Sequence, residues 1–306
     1  MRPCLTDRRT GFTLVELMVA SASIGLLVAL FVPAAQDARD IARSVACRNQ
    51  MKQIGLGFHN YHAVYNSLPA AWYARYADGD SVSWTGWSFA LLPYLDQAGL
   101  YNRGTDVATN PQWPTVPDIP TVPLSAYRCP ADTLGDMNPM RGGFAINNYS
   151  GNAGSKAFPR LYSGAMQQYW PGSLPAVFEP AAKQDRLTAG IFQLNGRVGF
   201  RDIVDGTSNT LMASERAATS GAGIWMGVRS NQMENDVITE FSEHARLNAS
   251  ITGASSFHNS SVNALLADGS TRVLSQDIES GPVVAGQIKV LQALAGRMDG
   301  TPLSSF

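Results

Sequence analysis

Charge is scarce in this chain. Lysine, arginine, aspartate and glutamate make up 15% of its 306 residues, and 23 basic side chains stand against 24 acidic ones. A nucleic-acid surface needs basic residues gathered into a stripe, and bulk electrostatic capture of DNA needs a positive field. Neither fits this balance, so no nucleic acid is expected as a partner. Catalytic fingerprints are missing as well: there is no G-x-S-x-G elbow, P-loop or dinucleotide-binding glycine run, and the enzyme classes those motifs serve have no support. Histidine is rare, with four in the chain. His59 and His62 lie three apart, a spacing compatible with metal binding on a helix, but no third ligand follows at a metal-site spacing, and packing is the expectation for both. There is no internal repeat.

What the chain does have is apolar. Hydrophobic residues reach 45%, enough to bury a sizeable core, and the longest apolar run lies at the N-terminus. Residues 12–32 carry one charge, Glu16, in 21 positions. A helix of that length spans a hydrocarbon core of about 30 Å. Arg2, Arg8 and Arg9 precede it, which places the N-terminus in the cytoplasm and the rest outside. A secretory signal is cut after its apolar region at a small-x-small site; here the glycine comes before it, in Gly11-Phe12-Thr13-Leu14-Val15-Glu16.

That stretch resembles the type IV prepilin motif. The resemblance implies a leader over 1–11, cleavage between Gly11 and Phe12 by prepilin peptidase, and N-methylation of Phe12. It also implies that Glu16, an acid otherwise expensive inside a bilayer, pairs with the free amine of an adjacent subunit's first residue. Pro33 matches a common pilin position and, lacking an N–H, kinks or loosens a helix. Without the leader the chain keeps 20 basic and 23 acidic residues, a net charge of 20 − 23 = −3. Cys4 leaves with the leader, so Cys47 and Cys129 remain as an even pair in an oxidising compartment. A disulfide between them is the expectation; the alternative is two separate buried thiols.

Helical patterning continues from Ala34 to about His62, giving a transmembrane segment over 12–32 and an extracytoplasmic one over 33–65. Ala34, Ala38, Ile41 and Val45 form one apolar stripe; Cys47, Met51, Ile54, Phe58 and Tyr61 form a second, nearly opposite. The upper stripe is expected to pack on the protein's own head, and the lower one to remain for other subunits. Wholly helical, 12–62 would span about 76 Å at 1.5 Å per residue. Gly55 and Gly57 weaken the helix by about 1 kcal/mol each and suit close approach of the head.

After residue 65, short β-like runs alternate with turn chemistry, and 105–125, with five prolines, reads as an extended loop. The fold class is α+β: a long helix on an antiparallel β-rich head over 66–306. Val262–Ala267 reads as a strand, Asp268-Gly269 as a tight turn and Thr271–Leu274 as the return strand. His258 and Asp268 then fall at opposite ends, up to about 33 Å apart if extended, so His258 is expected to cap or pack rather than pair with Asp268. Asp205, Asn209 and Glu215 form a weak calcium candidate without EF-hand spacing; turn chemistry explains Asp205-Gly206-Thr207-Ser208-Asn209 as well. The six tryptophans are expected to pack core and rim.

Several segments together resemble a large bacterial family of pilin-like proteins without known activity, described by its prepilin N-terminus and a C-terminal His-x9-Asp-Gly motif. They are Arg43 to Gly55 with His59-Asn60-Tyr61-His62, Trp87 to Gln97, Cys129-Pro130-Ala131-Asp132, Asn148 to Asn152, Asp202 to Thr210 with Glu215, and His258 with Asp268-Gly269. Gln50 departs from the family's usual asparagine. The resemblance implies a non-enzymatic pilin or type II secretion pseudopilin subunit. It would sit in the inner membrane with its head outside, and its partners would be prepilin peptidase and other pilin-like subunits; no cofactor beyond the calcium candidate is expected. The rival is a membrane-tethered binding module that never polymerises. A head-borne hydrolase would need converging titratable residues, which the sequence does not display.

Overall fold

A computed structural model describes residues 11–73, 84–108, 113, 118–155, 190–229, 234–241, 246–249, 253–258, 260–281 and 288–300. The chain divides into two compact units, residues 1–43 and 44–306. The expected leader, 1–11, lies outside the described residues up to residue 10, with Cys4, as do Trp170 and 109–112 and 114–117 of the expected loop. Helix α1 (Leu14–Tyr65) runs through Pro33 without interruption.

In the first unit every described residue from 11 to 43 is exposed. The helix start is built by a reciprocal cap. The Thr13 hydroxyl accepts from the Glu16 backbone N–H at 3.3 Å, while the Glu16 carboxylate accepts from the Thr13 N–H and hydroxyl, both at 2.9 Å. This is the S/T-x-x-E capping box. Ser21 and Ser23 turn their hydroxyls onto the carbonyls of Met18 and Val19, so two of the segment's few polar groups are satisfied within the helix.

In the second unit the remainder of α1 buries Cys47, Met51, Ile54 and Phe58, with Tyr61 packed against the same cluster. A Cβ on Gly55 would stand 3.0 Å from a Leu265 methyl and 3.4 Å from the Gly269 Cα. The glycine thus lets the helix lie against a hairpin of β9 (Ser261–Leu266) and β10 (Thr271–Ser275). That hairpin turns on Asp268 and Gly269: Gly269 takes φ +84°, where glycine avoids a Cβ penalty, and the Asp268 carboxylate accepts from the Ser270 N–H at 2.8 Å.

Before β9 the order is β1 (Trp84–Thr85), α2 (Trp87–Ala90), α3 (Ala98–Ala108), β2 (Met137–Asn138), β3 (Phe144–Asn147), β4 (Tyr149–Asn152), β5 (Leu211–Glu215), β6 (Gly223–Ile224), β7 (Gly227–Val228) and β8 (Ile238–Thr239); α4 (Val290–Ala295) follows β10. The principal sheet runs β10-β9-β5-β4-β8, with two small ones, β1-β7 and β2-β3-β6. The head is α+β, with one departure from the expected antiparallel sheet: β8 pairs parallel with β4. A second departure is α3, which carries helix into the start of the segment expected as an extended loop.

Strand β9 alternates. Val262, Ala264 and Leu266 join Leu291 and Leu294 of α4 in one cluster, while Leu265 joins the α1 stripe in the larger core. Successive side chains point to opposite faces, so Asn263 shares the α1-facing side with Leu265. Trp72, Trp84, Trp87, Trp113 and Trp225 are all buried in that core.

A buried ion cluster lies within the same unit. Asp236 is 0% exposed. It accepts from the Arg141 guanidinium and from the Arg229 backbone N–H, Nε and Nη2. Arg141 also donates to the carbonyls of Ala222 and Gly221. Burial lowers the Arg141 pKa, and the Asp236 carboxylate acts in the opposite direction.

Candidate functional site

Cys47 and Cys129 are joined in a disulfide with Cα atoms 5.0 Å apart, and the chain around it is pinned on both sides by β4 and the residue before it. The Asn148 side-chain Oδ1 accepts from the Cys129 N–H at 3.0 Å and from Arg128 Nη1 at 2.8 Å. Asn148 Nδ2 donates to Asp132 at 2.5 Å, and the same Asp132 oxygen accepts from the Ala218 N–H. This explains the Cys129-Pro130-Ala131-Asp132 segment: its last residue closes the turn and its first carries the sulfur. On the other side the Tyr149 hydroxyl reaches the Cys47 carbonyl at 3.2 Å and Gln50 Oε1 at 2.8 Å, while Gln50 Nε2 donates to the Ser125 carbonyl. Burial, reinforced by the Glu215 charge, holds the Tyr149 phenol protonated far above its usual range, so it stays a donor to these acceptors.

Against the disulfide stands Glu215, at the end of β5 and 2% exposed. Its Oε2 accepts from the Asn263 N–H at 3.0 Å and its Oε1 from Asn263 Nδ2 at 2.9 Å. His258 Nε2 lies 3.3 Å from Glu215 Oε1 and 3.6 Å from Cys129 Sγ, and Glu215 Oε1 lies 3.8 Å from that sulfur. A disulfide sulfur carries no hydrogen, so it can only accept; the imidazole N–H faces both groups, and the carboxylate is the stronger acceptor. His258 is set in place by its N–H on Ser256 Oγ and its carbonyl under the Ser261 N–H. The ligating atoms of Cys47, Cys129, Glu215 and His258 all fall within 4.8 Å of one another.

The sequence-derived candidates thus separate. His258 and Asp268 do stand at opposite ends of β9, but His258 is more than a cap: it meets a buried acid. The calcium trio is not gathered. Asp205 accepts from the Asp299 and Gly300 N–H groups and Asn209 donates to the Asp205 carbonyl, whereas Glu215 stands at the far end of β5, about 13 Å of strand away at 3.3 Å per residue. Gly206, at φ +94°, shapes the Asp205 turn. His59 and His62 both pack on the Phe200 ring, and His62 Nε2 accepts the Phe200 N–H at 3.3 Å. Gly11 and Phe12 are exposed, Phe12 at 81%. Asn263 escaped sequence reasoning, although a lone amide inside the apolar run Val262-Asn263-Ala264-Leu265-Leu266 signals a buried polar partner.

A family model described as "Protein of unknown function (DUF1559)" matches residues 36–281. The chain belongs to this family. DUF1559 is associated with pilin-like proteins, and the matched span contains all four residues of the cluster around the disulfide. No curated protein and no solved structure matches the chain.

Proposed function

We propose that this DUF1559 chain is a non-enzymatic pilin-like subunit. It is anchored in the inner membrane by its first helix, with the N-terminus cytoplasmic and the head outside. It is processed by prepilin peptidase between Gly11 and Phe12, and assembles through α1 into a filament or secretion pseudopilus. The observation that carries the reading is the N-terminal part of α1: a helix long and apolar enough to cross a membrane, with no part of its apolar window buried, and with one acid four residues after Phe12. The capping box adds a physical reason for that acid. In the lone chain Glu16 is held by the Thr13 N–H and hydroxyl, so it is not an orphan charge in the bilayer; assembly would exchange those donors for the amine of a neighbouring Phe12.

The first test is the intact mass of protein extracted from host membranes. A chain beginning at Phe12 and carrying one extra methyl group is expected; a chain beginning at Met1 would reduce the reading to a simple anchor. The second test is Glu16→Ala. Cleavage should persist, while the fraction of protein in sheared filaments or cross-linked multimers falls to background. Unchanged multimers would favour the tethered binding module that never polymerises.

A further inference from the structure

We propose that the head, when its disulfide is reduced, binds one thiophilic divalent cation, with Zn²⁺ the best fit, through Cys47, Cys129, Glu215 and His258. The inference rests on the geometry of the second unit and is independent of how the chain assembles.

The distances carry it. With metal–sulfur bonds of about 2.3 Å and metal–nitrogen and metal–oxygen bonds of about 2.0–2.2 Å, a tetrahedral site has sulfur–nitrogen and sulfur–oxygen edges of about 3.6 Å and a nitrogen–oxygen edge of about 3.4 Å. The structure has 3.6 Å from Cys129 Sγ to His258 Nε2, 3.8 Å from the same sulfur to Glu215 Oε1, and 3.3 Å between the latter two. Three candidate ligand atoms therefore already have the spacing of one face of a tetrahedron, and Cys47 Sγ, bonded to Cys129, lies within 4.8 Å of the other two. Opening the sulfur–sulfur bond to an edge of about 3.8 Å completes it. Two thiolates with an imidazole select zinc-like ions over calcium or magnesium. The outer shell is also built: Asn263 orients the carboxylate through two N–H groups, and Ser256 and Ser261 fix the backbone of His258, the kind of support that metal ligands need.

The chemistry balances. A dithiol reductant attacks the disulfide and leaves as its own cyclic disulfide; two electrons and two protons pass to Cys47 and Cys129. Zn²⁺ then displaces both thiol protons. On metal binding the His258 ring changes tautomer, its proton passing from Nε2 to Nδ1, so that Nε2 ligates, and Glu215 binds as a carboxylate. Re-oxidation through the reverse exchange expels the ion, so the site alternates between a covalent staple and a metal staple at one place in the fold.

The test uses the full-length chain in detergent micelles, either as purified or reduced anaerobically with a phosphine, which adds no competing thiol. The probe is Co²⁺ alone, followed by Zn²⁺. The reduced chain is expected to take up one Co²⁺ with thiolate-to-cobalt charge-transfer and tetrahedral visible bands, and to yield it to Zn²⁺; the oxidised chain should take up none. His258→Ala leaves the disulfide in place, so it can be purified folded; after reduction it should bind Co²⁺ more than about tenfold more weakly, beyond the loss outer-shell changes usually cause at the low end. Near-ultraviolet circular dichroism reports folding throughout. The proposal is overturned if the folded reduced chain takes up no stoichiometric Co²⁺, if oxidised and reduced chains bind it alike, or if the Cys47→Ser/Cys129→Ser variant binds as well as the reduced native chain. It is overturned too if reduction unfolds the chain and neither metal restores the signal.

Discussion

The full-length double variant Cys47→Ala/Cys129→Ala should lose about 4–5 kcal/mol of stability against urea in detergent micelles. The crosslink joins residues 82 apart in sequence, and closing a loop of that length removes about 4.5 kcal/mol of unfolded-chain entropy in the loop-closure model. Both sulfurs are also buried in the principal core, so their removal forfeits packing as well. Domains of ordinary stability have about 5–15 kcal/mol in total, which makes this most of the margin. Reduction of the native chain in the presence of a metal chelator should reproduce the loss. A shift below about 1 kcal/mol would mean that the Asn148–Asp132 and Tyr149–Gln50 contacts hold the segment without the bond.

Asp236→Ala is expected to cost about 3–5 kcal/mol by the same measurement, the usual consequence of removing one partner of a buried ion pair. Asp236 is wholly buried and accepts from two arginines. Without it Arg141 keeps its bonds to the Ala222 and Gly221 carbonyls but loses the carboxylate that offsets its desolvation. The size follows from burial rather than from ion pairing as such. Asp40 and Arg43 pair on an exposed stretch of α1, where such contacts contribute about 0–1 kcal/mol, so Asp40→Ala should be nearly silent. Equal effects of the two substitutions would refute the role assigned to the buried cluster.

The helix and its buried stripe were legible because they are periodic. Cys47, Met51, Ile54, Phe58 and Tyr61 recur at +4 and +3, and only one side of a helix can satisfy that spacing. The hairpin at Asp268-Gly269 was legible for a local reason: a turn needing positive φ calls for glycine, and an apolar run leads into it. The parallel pairing of β8 was not legible. Two residues, Ile238-Thr239, carry no direction in their composition, and their partner on β4 lies some ninety residues away along the chain.

The cluster around the disulfide divides along the same line. The segments that build it, Cys129 to Asp132, Asn148-Tyr149, Glu215 and His258, could each be singled out in the chain, yet local reading made Glu215 a candidate calcium ligand and His258 a cap. Residue order alone settled the long apolar N-terminal helix, the packing stripe and the hairpin, because each depends on neighbours within a few positions. Only the fold brought Glu215 and His258 to the Cys47–Cys129 sulfurs, because a buried acid finds its partners through strand register and helix packing, which act between residues far apart in sequence.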